Sequence, residues 1–302
     1  MLIALLVALL ALIFLGVPIV VAIGAAALGG ILALPELAPV EFPRKMFAAV
    51  DSFSLLALPY FILAGELMVR GGMSRRLVEF AETLVGHLRG GLGHATVLAN
   101  MIFANVTGSS VAATSAIGSL MAPEMKARGY KGGFVASLAA TSGVIGAIIP
   151  PSMVMVVYGS MAGVSIGGLF LGGFLPGLLI TGLLMLVVHL HGYHPAFPEI
   201  RVTGGRFSGR AVLATLPRVW AAVLAPVIIF GGIMTGVFTA TEAGVVACFY
   251  ALIVAMFVYR SVTVRDLPRI LLNSAITTTV VLGIIAVAGA LGWLLTYLNF
   301  TD

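Results

Sequence analysis

Apolar runs recur along the entire chain, at 2–34, 54–69, 92–122, 133–161, 169–190, 219–238, 243–258 and 270–298. A helix needs roughly 20 apolar residues to cross a hydrocarbon core about 30 Å thick. The runs therefore supply roughly seven or eight membrane segments, and the fold expected is an all-α polytopic membrane protein. Only 9% of the 302 residues are charged and 61% are hydrophobic, whereas soluble domains carry about 25% charged residues. The apolar excess is spread over the full length, which excludes a single anchor on a soluble body. It also excludes a soluble enzyme, a nucleic-acid binder and a secreted disulfide scaffold. Cys248 is the one cysteine, so no internal disulfide is possible, and it reads as a packed thiol. No Lys or Arg precedes the first run, so that run does not read as a cleaved secretory signal.

The net charge of +5 collects between the runs, at Arg70/Arg75/Arg76/Arg89, Lys126/Arg128/Lys131, Arg201/Arg206/Arg210/Arg218 and Arg260/Arg265/Arg269. The positive-inside rule puts all four clusters in the cytoplasm, facing anionic lipid. Two clusters flank 92–122, and a single crossing leaves one of them outside. The middle of that run reads FANVTGSS at 103–110, which is poor helix and good turn chemistry. A re-entrant hairpin that enters from the cytoplasm, turns near 105–110 and returns meets both facts. Such a tip is tolerated at membrane depth only where protein or a water-filled cavity surrounds it.

The next run carries TSGVIG at 141–146, then Pro150, Pro151 and Ser152. Consecutive prolines remove two backbone donors, and Pro151 biases Pro150 away from helix. A helix broken near 146–152 is expected, with the uncharged 159–168 stretch beyond it outside. Over 74–89 the apolar Leu77, Val78, Phe80, Ala81, Leu84, Val85 and Leu88 share one face, with Arg75, Arg76, Glu79, Glu82 and Arg89 elsewhere. That pattern predicts a helix lying in the interface plane. A second is expected over 208–220, with Trp220 at the water–lipid boundary.

GVPIVVAIG at 16–24 echoes GVFTATEAG at 236–244. If Gly16–Pro18 turns the chain, 2–34 is two short passes and the two echoes face opposite sides of the membrane. That is an inverted-topology repeat, the ground plan of many secondary transporters. The offset of 220 residues puts the counterparts of the 105–110 tip and of Pro150 near positions 325 and 370, past Asp302. The second repeat is thus expected to be incomplete in this chain, which reads either as a fragment of a longer protein or as a half-transporter that something else completes.

Asn105, Thr107, Gly108, Ser109 and Ser110 at the tip offer hydroxyl, amide and freed carbonyl oxygens, which suit a hard cation such as Na⁺. The arm ending near Ala104 presents carbonyls at its negative end, and the arm starting near Ser110 presents N–H groups to a carboxylate. Ser142, Gly143, Gly146, Pro150, Pro151 and Ser152 form a second candidate wall, because two interrupted helices meeting at the midplane are a known site geometry. The plainer alternatives are close helix packing through small residues and a simple proline kink. A break in mid-membrane is costly without a use, which favours binding.

Other polar residues read as structural. Glu66 precedes Arg70 by four residues, and Glu242 falls in the first turn of an expected helix, where an acid suits the macrodipole. His189, His191 and His194 do not share a helical face and lie before Pro195, so a metal site is not expected there. Asn273, Ser274 and 277–279 form a polar patch that lines a path or bonds across helices. No Ser/His/Asp set, intramembrane protease dyad or phosphate loop is present, and no enzyme is expected.

Several ordered motifs, LLALPYFILAGE at 55–66, GGL at 90–92, TGSS at 107–110 with AIG at 116–118, GAIIPPS at 146–152 and TATEA at 239–243, together resemble the large membrane subunit of tripartite ATP-independent periplasmic (TRAP) transporters. The resemblance runs essentially from residue 2 to 299. It implies an elevator-type transporter fold and a permease subunit in the bacterial inner (cytoplasmic) membrane. The implied activity is Na⁺-coupled import of organic acids, such as C4-dicarboxylates or sialic-acid-like carboxylates. The implied partners are a periplasmic substrate-binding protein and a small TRAP membrane subunit, with Na⁺ as coupling ion and no cofactor. Carried onto this sequence, the substrate would meet Asn105, Thr107, Gly108, Ser109, Ser110, Pro150, Pro151 and Ser152. Na⁺ would meet Ser109, Ser110, Ser142, Gly143 and Gly146. The implied layout is scaffold at 1–72, arm at 73–90 and a transport-domain half at 91–190. A cytoplasmic loop and arm follow at 191–218, and second-repeat scaffold at 219–302. Thr107 stands where relatives often have Ser, and Ala147 where Pro is common; neither change removes a hydroxyl. The rival readings are a stand-alone Na⁺/carboxylate symporter of a related inverted-repeat fold and a non-transporting membrane assembly protein.

Overall fold

The computed structural model describes residues 1–194, 200 and 207–300, the side chain of Val106 apart. Arg201, Arg206 and Pro195 of the sequence reading lie outside the described residues. The order of helices is α1 Leu2–Phe14, α2 Ile19–Leu32, α3 Glu41–Val50, α4 Ala57–Arg70 (preceded by a 3₁₀ turn at Phe53–Leu56) and α5 Met73–Val85. Then come α6 Gly91–Thr107, α7 Ser110–Ala127, α8 Gly132–Gly143, α9 Ile145–Ile148, α10 Met153–Ala162 and α11 Ile166–His191. The last are α12 Gly209–Met234, α13 Ala240–Ile253 and α14 Leu267–Tyr297. No strand occurs among the described residues. Five helical stretches among them are long and apolar enough to cross a membrane, namely Phe53–Arg70, Ile166–His191, Gly209–Met234, Ala240–Val258 and Leu267–Tyr297. The pair Gly132–Ile148 and Met153–Ala162, bent by 41°, makes a sixth if counted as one broken span.

The chain divides into two compact units, one formed by Met1–Leu55 with Leu272–Asp302 and the other by Leu56–Leu271. In the first unit, Leu5, Ala27, Ile31, Ala290, Leu291 and Leu294 form the core. Gly30 admits the side chains of Leu294 and Leu5, which sit 2.5 and 2.6 Å from where its Cβ would be. The first apolar run does turn, at Gly16 with φ +78°. There the Val17 N–H donates to the Leu12 carbonyl across six residues. The Val237 N–H donates to Gly232 in the same way, beside Gly236 at φ +73°. The sequence echo is thus an echo of local geometry, a left-handed glycine closing one helix shortly before the next begins, at Ile19 and at Ala240.

The second unit is organised around the α6–α7 hairpin. Helix α5 packs on α6 and α12, α4 on α13, and α8 against both hairpin arms. Its largest fully buried side chains include Phe61, Phe103, Phe170, Met73, Ile117, Met121 and Met125. Burying each such side chain is worth roughly 1.5–3 kcal/mol in water, but between helices in lipid, close packing matters more. Gly244 of α13 therefore comes within van der Waals reach of α4, its Cβ position lying 3.2 Å from the Tyr60 Cβ and 3.3 Å from the Ala57 carbonyl.

Three sequence expectations change in detail. The amphipathic helix expected over 74–89 ends at Val85, because Gly86 caps it and left-handed Gly90 redirects the chain into α6. The returning hairpin arm continues past 122 to Ala127, through Pro123. The separate interfacial helix expected over 208–220 does not form: 209–234 is one helix containing Pro217 and Pro226. Each proline removes one backbone hydrogen bond, whereas ending the helix inside an apolar environment would leave up to four carbonyls without partners.

Glu242 is held structurally, as expected, but its partner is Thr239. The Thr239 hydroxyl accepts from the Glu242 N–H, and the Glu242 carboxylate accepts from the Thr239 N–H at 2.8 Å, a complete capping box. Thr239→Ala should lower the unfolding free energy by about 1 kcal/mol, read as a lower thermal midpoint in detergent. Glu242→Gln, which keeps an acceptor, should lose less and leave function intact.

Candidate functional site

The hairpin tip is built by two residues of opposite character. Gly108 adopts φ +60° and closes α6 with its N–H on the Ala104 carbonyl at 2.8 Å. Glycine enters this left-handed region without the penalty that a Cβ brings. Ser109 is extended, and its hydroxyl caps α7 by accepting from the Ala112 N–H at 3.3 Å. The break in the following helix uses the same device. Ile149 is extended, Pro150 and Pro151 follow, and extended Ser152 caps α10 by accepting from the Met155 N–H at 3.4 Å. The Ser152 hydroxyl also donates to the Ala147 carbonyl at 2.7 Å, tying the two sides of the break together.

These two interruptions touch. The Met153 N–H, the first of α10, donates to the Gly108 carbonyl at 3.0 Å. A Cβ on Gly108 would lie 2.7 Å from the Pro151 carbonyl, and one on Gly146 would lie 3.1 Å from the Ser110 nitrogen and 3.2 Å from the Ser109 carbonyl. Gly143 packs in the same way against the Thr114 side chain and the Ser110 carbonyl. The structure thus brings Gly108, Ser109 and Ser110 together with Gly143, Gly146, Pro151 and Ser152. The carbonyl end of α6 and the N–H ends of α7 and α10 converge on one buried locus. None of these side chains is ionisable, so the field there comes from hydroxyls and helix ends, worth up to ~2 kcal/mol per end for a partly buried ion.

The remaining residues of the sequence reading sit around this junction. Pro150 is buried beside it. Asn105 is half-buried and returns its amide to the Met101 carbonyl at 3.1 Å. Thr107 is fully buried, its hydroxyl on the Phe103 carbonyl at 3.4 Å and its methyl against Gly65 of α4. Ser142 lies one turn before Gly146, and its hydroxyl donates to the Leu138 carbonyl at 2.6 Å. That hydroxyl also accepts from Asn100 at 2.7 Å. Asn100, Thr114 and the Met153 backbone are participants that the sequence reading passed over. An amide inside an apolar membrane segment is the one signal that singles out Asn100.

The other candidates are structural. Glu66 pairs with Arg70 at 2.7 Å. The His191 ring meets the Val187 carbonyl at 2.8 Å and His189 packs edge-on against Tyr193. No group of three or more His, Cys, Asp or Glu able to hold a metal occurs among the described residues.

A family model described as the DctM component of the tripartite ATP-independent periplasmic transporter matches residues 6–302. Curated relatives are similar over most of the chain. The 2,3-diketo-L-gulonate TRAP transporter large permease protein YiaN of Escherichia coli is 39% identical over 84% of this chain and 59% of its own length. The C4-dicarboxylate large permease protein DctM of Pseudomonas aeruginosa is 40% identical over 80% of this chain and 56% of its own. The sialic acid large permease protein SiaM of Vibrio cholerae is 34% identical over 83% and 58% respectively. The chain thus spans less than two thirds of the length of each of these three relatives.

The junction yields a direct test. Gly108→Ala adds a methyl against the Pro151 carbonyl at a left-handed position and should cost about 1–3 kcal/mol. It should separate the tip from the break. Gly118→Ala, whose new methyl would meet only Ala139 at 3.6 Å, should be neutral or mildly stabilising. Thermal midpoints of the two variants check both outcomes.

Proposed function

Matched over nearly its whole length by that family model, the chain belongs to the DctM components of TRAP transporters, and we propose that it is the permease subunit of a Na⁺-coupled importer of organic acids in a bacterial inner membrane. In this reading it works with a small membrane subunit and receives substrate from a periplasmic binding protein. The relatives named above act on 2,3-diketo-L-gulonate, C4-dicarboxylates and sialic acid, and the substrate class inferred here is a small carboxylate. The chain is a permease and not an enzyme.

The observation that carries the proposal is the direct contact between the hairpin tip and the helix break, made by residues without ionisable groups. Burying a carboxylate alone costs several kcal/mol even after relaxation, more than helix N-termini return. A cation bound alongside makes up the difference, so substrate and Na⁺ bind together or not at all. The α6 carbonyl end, with Ser109, Ser110, Ser142, Gly143 and Gly146, supplies oxygens suited to Na⁺. Asn105, Thr107, Gly108, Ser109, Ser110 and the Pro150–Ser152 turn supply one side of the substrate pocket. In an elevator cycle, 91–190 would be the transport-domain half, with 1–72, the arm at 73–90, the loop and arm at 191–218, and 219–302 as scaffold. The fold would be an inverted repeat whose second hairpin belongs to the rest of the protein.

Uptake into proteoliposomes holding the full-length permease and its small subunit tests this, with a C4-dicarboxylate and sialic acid as probes. Uptake should require both an inward Na⁺ gradient and a purified binding protein. Ser109→Ala with Ser110→Ala should lower the Na⁺-stimulated part by about tenfold or more, the equivalent of 1.4 kcal/mol, without loss of expression. Uptake independent of the binding protein would favour a stand-alone symporter, and unchanged Na⁺ dependence in the double variant would remove the assigned site.

A further inference from the structure

Asn100 lies on α6 two turns before the tip and is completely buried. Its amide donates to the Ser142 hydroxyl of α8 at 2.7 Å, and Ser142 donates its own proton to the Leu138 carbonyl at 2.6 Å. The two bonds fix the orientation of the amide. A serine hydroxyl has one proton, and Leu138 takes it. What meets Asn100 is therefore a lone pair, so the amide nitrogen faces Ser142 and Oδ1 points elsewhere. That Oδ1 is sealed from solvent without a hydrogen-bond partner, a costly arrangement for a buried acceptor. Ser142 in turn has one donor bond made, one lone pair occupied by Asn100 and one lone pair left.

We infer that Asn100 is a positioning residue for cation binding: by occupying one lone pair of Ser142 while Leu138 takes the proton, it aims the remaining lone pair of Ser142 as an ion ligand. This rests on the reading of Ser142 as part of the Na⁺ site. Packing alone needs no amide at this position, because a leucine has the same branched shape and no Oδ1 to orphan. The amide is worth that penalty only if its bond to Ser142 has a use. Asn100 is joined to Ser142 across 42 residues of sequence, and through it to the turn that carries Gly143 and Gly146.

The test is a titration of the full-length permease in detergent with NaCl against choline chloride at constant ionic strength, reading the rise in thermal midpoint. Ser142→Ala should raise the half-saturating Na⁺ concentration. Asn100→Leu should raise it roughly five- to tenfold, the size of one lost hydrogen bond, and in the Ser142→Ala background should add nothing. If the leucine variant does not fold, Asn100→Ser, whose hydroxyl is too short to span to Ser142, should show the same shift and the same lack of effect in the double variant. A shift in Ser142→Ala without one in the Asn100 variants overturns the inference and leaves the proposed site standing. Full multiplication of the two shifts in the double variant also overturns it, since Asn100 would then act independently of Ser142. Unchanged Na⁺ response in Ser142→Ala, or no Na⁺ response in the unmodified protein, overturns the cation assignment of Ser142 and the inference together.

Discussion

The hydrogen bond from the Met153 N–H to the Gly108 carbonyl joins two interruptions of helix that would each be costly by themselves. A helix that stops inside an apolar medium leaves up to four N–H or four C=O groups without intrahelical partners, and lipid offers none. Here the termini serve one another. The left-handed glycine that ends α6 turns its carbonyl to the first N–H of α10, while Ser109 and Ser152 cap the helices that restart. For two backbones to meet in this way, nothing larger than hydrogen fits between them. That requirement accounts for glycine at 108, 143 and 146, each of which would otherwise press a methyl on the opposing chain. Small residues here are first a condition of contact, and the exposed oxygens follow from it.

The parts of this arrangement that depend on local chemistry were legible in the sequence. TGSS at 107–110 and PPS at 150–152 are turn-forming in any context, and both interruptions fall inside the expected ranges. Gly16 is left-handed and turns the first apolar run into two helices for the same local reason. What escaped is what depends on a distant partner. Asn100 sits in an apolar run without local pattern, and its role appears only when Ser142, far along the chain, is placed beside it. Thr114 is similar: it follows the tip by one turn, and only the approach of Gly143 gives it meaning. The opposite error is the expectation of a second interfacial helix over 208–220, with Trp220 at the water–lipid boundary. Continuity of α12 won because, in an apolar setting, one bond lost at a proline costs less than a helix terminus.

Thr107 shows how the tip is held in place. Its methyl lies against Gly65 of α4, and its hydroxyl is spent inside α6 on the Phe103 carbonyl. The neighbouring Ser109 and Ser110 are only half-buried. Thr107 is thus committed to packing, while Ser109, two residues on, stays half-buried and caps α7. The Asn105 amide, returned to Met101 one turn back, strengthens the arm in the same local way.

The chemistry of the junction also sets how substrate and ion must depend on one another, on the proposed reading. Helix ends offer about half an elementary charge each, which is too little to hold a fully desolvated carboxylate and too little to hold a desolvated cation. A fixed Arg or Lys would hold the anion permanently, making release into the cytoplasm as difficult as capture is easy. An exchangeable cation avoids this, because its departure removes a full positive charge and leaves the anion with only the helix ends. On the proposed reading, the absence of an ionisable side chain among the residues that join the tip to the break would let a gradient of Na⁺ drive both capture on one side and release on the other. Any substitution that placed a basic residue at this junction would trade coupling for affinity: the substrate would bind more tightly and without Na⁺, and turnover would fall.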